Sequence, residues 1–421
     1  MTRRFSRLLR LEPGESAAVG WAFGYFFLLL ASYYILRPLR DEMGIAGGID
    51  RLPWVFTGTF VAMLAAVALF GLITARLPRR QFLPLTYGFF ILNLLIFYAA
   101  FQVAGWHAWT ARAFFIWVSV FNLFVVSVFW SFMVDLFSAD QGKRLFGLIA
   151  AGGTAGAIAG PLLAALLAAP LGPVQLLPVS ALLLAAAVLC IRKLGRWADD
   201  CKAIPAREGA TTLGGSMFAG LRSIGRSPYL LGIALFLLLF TTLSTFLYFE
   251  QAHIVARSFS GAAERTRFFA LLDLTVNVLA VIAQVLVTAR LLARLGVAGT
   301  LILMPLLSAA GFALLALTPA LGVLAGFQVL RRAGEYALTR PARELLFTVV
   351  DRETKYKAKN ALDTLVYRGG DALSGWLFAA LQGVGLGLAA IAWLAVPLAI
   401  AWGGLAWRLG SRQAALSRPD I

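Results

Sequence analysis

The chain has 421 residues, 60% of them hydrophobic and only 14% charged, with 37 Lys and Arg against 20 Asp and Glu and a formal net charge of +17. A mean hydropathy of +0.83 excludes a soluble globule, whose surface needs far more polar residues. The basic excess sits in short breaks between apolar runs, where anionic lipid headgroups account for it without a nucleic acid partner.

A hydrocarbon core of roughly 30 Å takes about 20 residues of helix to cross. Apolar runs of that order lie at 17–40, 53–74, 81–104, 109–136, 145–168, 173–192, 229–250, 266–289, 299–317, 320–350, 361–386 and 388–409. The sequence therefore predicts an all-α membrane protein of twelve transmembrane helices. Arg3, Arg4, Arg7 and Arg10 precede the first run, as in a signal peptide, but that run is too long and no small-residue cleavage site follows, so it is expected to stay as a helix.

The first run ends in SYYILRPLRDEMG, Ser32 to Gly44, where Arg37, Arg40, Asp41 and Glu42 crowd around Pro38. Two readings stand: a helix that stops at Leu36 with a solvated loop after it, or an anion-binding mouth in which Tyr34, Arg37 and Arg40 meet a solute and Asp41 serves coupling or ion pairing. The fourth run carries Asn122, a second candidate for solute contact, among Phe114, Trp117, Phe121, Phe124 and Trp130, mostly expected to pack. It ends at Asp135, close to Lys143 and Arg144, and these three read as a gate. In the fifth run Gly152, Gly156 and Gly160 form a small-residue stripe suited to close helix packing.

The segment 193–228 is basic and Gly-rich (EGATTLGG, Glu208–Gly215) and closes on MFAGLRSIGR, which could form a short interfacial helix. It is expected to link an N-terminal bundle, 1–192, to a C-terminal bundle, 229–421. Asp273 in the eighth run is a candidate proton or counter-ion site and shares a helix face with Asn277 and Gln284. The tenth run passes into VLRRAGEYALTRPARELLFTVVD, Val329 to Asp351. Arg331 falls near mid-membrane there, a costly place that calls for a wet cavity or partners. Glu335 stands one turn from Arg331, and Glu344 one turn from Arg340, so each is expected to pair along the helix. Arg340, Arg343, Glu344 and Lys359 read as a second gate, and Asp371 follows the pair Gly369/Gly370 at the head of the eleventh run.

Val134–Gly160 and Val349–Gly375 both run from one span through a basic loop into a glycine pair, half a chain apart. A six-plus-six layout of this kind is that of the major facilitator superfamily, with two pseudo-symmetric bundles around a midplane site. Basic residues fall on alternate loops, which predicts both termini in the cytoplasm of a bacterial inner membrane. Cys190, Cys201, His107 and His253 show no CxxC or HExxH spacing, and no GxxxxGK[ST] loop occurs, so neither a metal nor another cofactor, nor ATP hydrolysis, nor an enzyme is expected.

SYYILRPLRDEMG and EYALTRPARELLFTVVDRETKYKAKNALD (Glu335–Asp363) resemble segments of the ATP/ADP translocase (NTP/NDP exchange transporter) family. The resemblance implies a facilitator-like fold and exchange of an anionic solute without hydrolysis. Arg40 stands where that family carries a lysine, Asp371 lies near a second family lysine with the opposite sign, an apolar stretch around Val118 replaces a family acid, and Glu250 is a displaced counterpart of another. The expected function is a monomeric secondary transporter, by exchange or proton coupling, with Arg37, Arg40 and Arg331 holding the solute between the two bundles. Proton coupling requires Asp41, Glu335 or Asp273 to titrate. A proton-driven exporter of amphipathic compounds and a non-transporting signalling or scaffold protein are the alternatives.

Overall fold

The computed structural model describes residues 12, 15–76, 79–103, 105, 107–200 and 217–417. The basic tail with Arg3, Arg4, Arg7 and Arg10, the stretch Glu208–Gly215 and Cys201 lie outside the described residues. Helices dominate: α1 Glu15–Ala46, α2 Leu52–Arg76, α3 Arg79–Ala100, α4 His107–Leu136, α5 Ala139–Leu171, α6 Leu176–Asp200, α7 Met217–Arg226, α8 Pro228–Ser258, α9 Ala262–Ala283, α10 Ala289–Leu317, α11 Leu321–Gly334, α12 Arg340–Leu346, α13 Arg352–Ala361, α14 Tyr367–Gly383 and α15 Leu388–Leu416.

Among the described residues, nine helical stretches are long and apolar enough to cross a membrane. One of them, Ala262–Leu317, is 56 residues long and breaks at Gly296, whose φ of 67° a side chain would disfavour, so it accommodates two crossings. Two further crossings, through α11–α12 and through α14, are too charged or too short to count by apolarity alone. The twelve expected spans are thus accounted for. Leu182 and Val285 are 72% and 75% exposed, an apolar exterior that suits lipid rather than water.

Local chemistry sets the helix ends. Ser138 and Gln141 cap α5 reciprocally, Ser227 caps α8 with Pro228 following, and Asp351 caps α13. Three π-helical turns interrupt the later helices, at Gln284–Thr288, Glu335–Thr339 and Leu362–Val366. α7 forms where MFAGLRSIGR suggested a helix, and Gly220 lets it lie against the backbone of Lys357 in α13.

The chain divides into two compact units, unit 1 comprising 1–47, 61–210 and 261–274, and unit 2 comprising 48–60, 211–260 and 275–421. In unit 1, α1 is the central helix. A Cβ on Gly152 or Gly156 would collide with the carbonyls of Phe23 and Phe27, and one on Gly160 would come within 2.7 Å of that of Ala31, so the glycine stripe of α5 serves close packing. Aromatic rings fill the interior around α1, with Phe26 stacked on Phe129 at 4.0 Å and Trp117 on Phe121 at 5.1 Å. In unit 2, α8 is central. Phe236 and Phe240 pack on Trp402 of α15, and Gly370 brings α14 up to Thr241.

Candidate functional site

In unit 1, α1 does not stop at Leu36. It runs through Pro38 to Ala46 and carries all four charges of the SYYILRPLRDEMG segment on helix. Arg37 lies 3.6 Å from Asp273 of α9 and 5.8 Å from the centre of the Tyr34 ring. Arg40 donates from Nε and Nη2 to Asp41 Oδ1 at 3.1 and 2.7 Å and lies over the Phe115 ring. Glu42, 0% exposed, receives two parallel bonds from Arg265, Nε to Oε2 at 2.7 Å and Nη2 to Oε1 at 2.9 Å. That fork-to-fork match of guanidinium and carboxylate is the strongest geometry such a pair can take. The helix continues past its charges because partners inside the unit replace the water they would otherwise need. Asp273 is buried; Asn122 is half-buried in α4.

Unit 2 builds a different setting around Arg331. α8 carries a row of hydroxyls, Thr241, Thr242, Ser244 and Thr245, that faces α11 and α14. Arg331 is 4% exposed, its Nη2 bonds to Ser244 Oγ, and its guanidinium carbon lies 5.3 Å from the centre of the Phe240 ring. Its Nε is buried with no hydrogen-bond partner, and no carboxylate of the described residues lies within ion-pairing distance, 4.0 Å. Beside it, Thr245 donates to Asp371 at 3.4 Å, Arg368 lies 3.5 Å from Asp371, and Ser374 donates to Thr242 at 2.9 Å. The sequence pointed to Arg331 and Asp371 but not to Ser244, Phe240 or Thr245, whose only signal is a cluster of hydroxyls in an otherwise apolar run.

Two expected pairings are corrected. Glu335 meets Arg340, at 3.5 Å, rather than Arg331. The π turn Glu335–Thr339 inserts one residue into the helical repeat, so residue i+5 replaces i+4 as the neighbour above Glu335. Glu344 pairs with Lys359, at 2.5 Å, rather than Arg340, and Arg343 lies 3.6 Å from Asp363. Arg340 also lies over the Tyr336 ring at 4.6 Å.

Around the other candidate gate, Lys143 pairs with Asp140 at 2.9 Å, and Arg144 with Glu12 and Glu15 at 2.9 and 3.0 Å. Asp135 is exposed near the end of α4. Asp351, outside the spans, accepts from the Thr354 amide at 2.9 Å, and this bond holds its carboxyl below the usual carboxylate range.

Among solved structures the chain is similar to the nucleoside transporter NupG, at 16% identity and TM-score 0.64 over 97% of this chain and 100% of that one. It is also similar to a D-xylose-proton symporter, at 12% identity and TM-score 0.64 over 94% and 98%. A third likeness is a bacterial homologue of the iron transporter ferroportin in an inward-facing state, at 15% identity and TM-score 0.63 over 96% and 99%. No family model matches the sequence, and no curated protein does. The likeness at these identities carries the fold: an all-α membrane protein of the major facilitator type.

Proposed function

We propose that this chain is a secondary transporter that moves an anionic solute, phosphorylated or carboxylated, across a bacterial inner membrane by alternating access, with both termini cytoplasmic. The observation that carries the reading is Arg331, a guanidinium enclosed in a spanning helix with a hydroxyl and an aromatic ring for company and no carboxylate of the described residues within 4.0 Å. Ten residues of α11 precede it, roughly 15 Å of helix and about half of a hydrocarbon core. Burying a charge costs several kcal/mol, and a bound anion offsets that cost.

Within unit 1, Arg37 and Arg40 with Tyr34 are proposed to contact the solute as well, though each guanidinium already has a carboxylate neighbour that a solute would have to displace or share. The resemblance of the Ser32–Gly44 and Glu335–Asp363 segments to nucleotide exchangers makes a nucleotide the first anion to try. Glu335–Arg340, Glu344–Lys359 and Arg343–Asp363 are the pairs proposed to make and break as access alternates.

The test is counterflow in proteoliposomes with labelled ADP, glucose 6-phosphate and succinate, and a neutral nucleoside as control. The expected result is exchange of at least one anion, lost in Arg331→Ala and partly kept in Arg331→Lys. Normal anion flux through Arg331→Ala, or transport of the nucleoside alone, would overturn the reading.

A further inference from the structure

Unit 2 encloses a second unbalanced ionisable group, of opposite sign and away from Arg331. Ile233, Phe236, Phe240, Leu243, Leu247, Glu250 and Ile254 follow one another at three- and four-residue steps along α8, so they share one face. Every member is buried and every member but Glu250 is apolar. Glu250 is 2% exposed and its Oε1 has no hydrogen-bond partner. The next residue, Gln251, is likewise buried with an unpartnered Oε1.

No Lys, Arg or His of the described residues lies within ion-pairing distance of Glu250, 4.0 Å. On α8 the titratable groups near Glu250 in the chain are Tyr248, whose ring packs on Phe56, Arg257, which is exposed and roughly 10 Å further along the helix, and His253, whose Nδ1 meets the Phe249 carbonyl at 2.8 Å and whose Nε2 lies 3.4 Å from Gln382 Nε2. With Nδ1–H given to a carbonyl, Nε2 is left to accept from the Gln382 amide, so the ring is held by two bonds that do not involve Glu250. The elements packed against α8 carry Arg331 and Arg332 on α11, Tyr367, Arg368 and Asp371 on α14, Asp363 in the adjoining π turn, Arg408 and Arg412 on α15, Arg222 and Arg226 on α7, and Asp50 and Arg51 in the turn before α2. Arg331 stands opposite Ser244 and Asp371 opposite Thr245, roughly 9 and 7 Å short of Glu250 along the helix. Arg412 acts at Tyr229, at the other end of α8, and Asp50 and Arg51 are exposed.

An ionised carboxylate so enclosed is costly unless something positive joins it. A metal cation needs several oxygen ligands, and the described residues hold no group of three or more His, Cys, Asp or Glu that could supply them. We propose that Glu250 is a proton-binding site: its carboxylate takes one proton from water on one side of the membrane, holds it as the neutral acid while enclosed among the apolar residues of α8, and gives it back to water when the transport cycle opens the site to the other side. The coupling role rests on the anion-carrier reading above; the protonation itself does not.

Infrared difference titration of the purified protein tests the protonation first. The expected result is a carboxylic-acid carbonyl band at neutral pH that is missing from Glu250→Gln and shifted in Glu250→Asp. Wild type with no protonated-carboxyl band, or identical bands in wild type and both variants, would overturn the proposal without touching the anion reading. The second arm is uptake of the same labelled anions with and without a pH gradient. One coupled proton allows about tenfold accumulation per unit of gradient. Glu250→Gln is expected to lose that factor while equal-pH counterflow stays within about twofold of wild type. Gradient-driven accumulation that survives in both Glu250→Gln and Glu250→Asp would remove the coupling role. If no anion moves through the wild type at all, the anion reading fails while the infrared result still decides whether Glu250 holds a proton.

Discussion

Two enclosed arginines, Arg265 in unit 1 and Arg331 in unit 2, meet opposite kinds of company. In unit 1, Arg37, Arg40 and Arg265 each lie against a carboxylate, and Glu42 with Arg265 forms a closed, two-bond fork. In unit 2, Arg331 is more deeply enclosed yet has a hydroxyl and a ring in place of a counter-ion. The Glu42–Arg265 fork is self-sufficient, and losing one member leaves the other stranded. The second has valence to spare. Burial alone therefore does not separate a structural arginine from a binding one; what it is buried against does.

The largest expected effect sharpens the first half of that contrast. Arg265→Leu leaves Glu42 uncompensated and should cost roughly 3–5 kcal/mol of stability, read as thermal unfolding in detergent. Most of this should return in the double variant Glu42→Leu/Arg265→Leu. Arg331→Leu is expected to do the reverse, leaving thermal stability unchanged or higher while anion flux drops by roughly a hundredfold, equivalent to about 2.7 kcal/mol. An Arg331→Leu protein as unstable as Arg265→Leu would erase the distinction. Gly156→Ala should cost about 1–3 kcal/mol, because the new methyl meets the Phe27 carbonyl; its flux per folded molecule should stay normal, marking the α1–α5 contact as packing. The smallest effect is at Asp351, whose carboxyl is held low by the Thr354 amide. That cap is complete above the ordinary carboxylate range and weakens as pH falls through it. Acidification or Asp351→Ala should lower the protection of the first-turn amides of α13 relative to their intrinsic exchange at the same pH, and Asp351→Asn should keep the cap but lose its pH dependence.

Much of the architecture is legible in the sequence because lipid leaves little choice: a run of about 20 apolar residues has to be a helix. What misleads is charge. Arg37 to Glu42 look like the end of a helix, and α1 continues through them because Asp273 and Arg265 supply partners; the Arg265–Glu42 pair is separated by 223 residues, which no local pattern conveys. Glu335 and Arg331 look like a helical pair, but EYALT carries no mark of the π turn that shifts Glu335 to Arg340. Arg331 stands out in the sequence as a lone charge in an apolar run, yet Ser244 and Phe240 do not, since hydroxyls and rings are ordinary in spanning helices. Glu250 is equally visible as an acid near the end of an apolar run. Its isolation is a property of packing and emerges only once every neighbour has been placed.

The Glu42–Arg265 fork also bears on how the protein is made. With 223 residues between the two partners and synthesis at about 5–20 residues per second, roughly 11 to 45 s elapse after Glu42 is polymerised before Arg265 exists. Throughout that interval the nascent first helix carries an acid that lipid rejects, so water or the insertion machinery has to shelter it, and α1 cannot settle until α9 arrives. Expressing the N-terminal half alone would make that wait permanent, whereas supplying the other half in trans would end it.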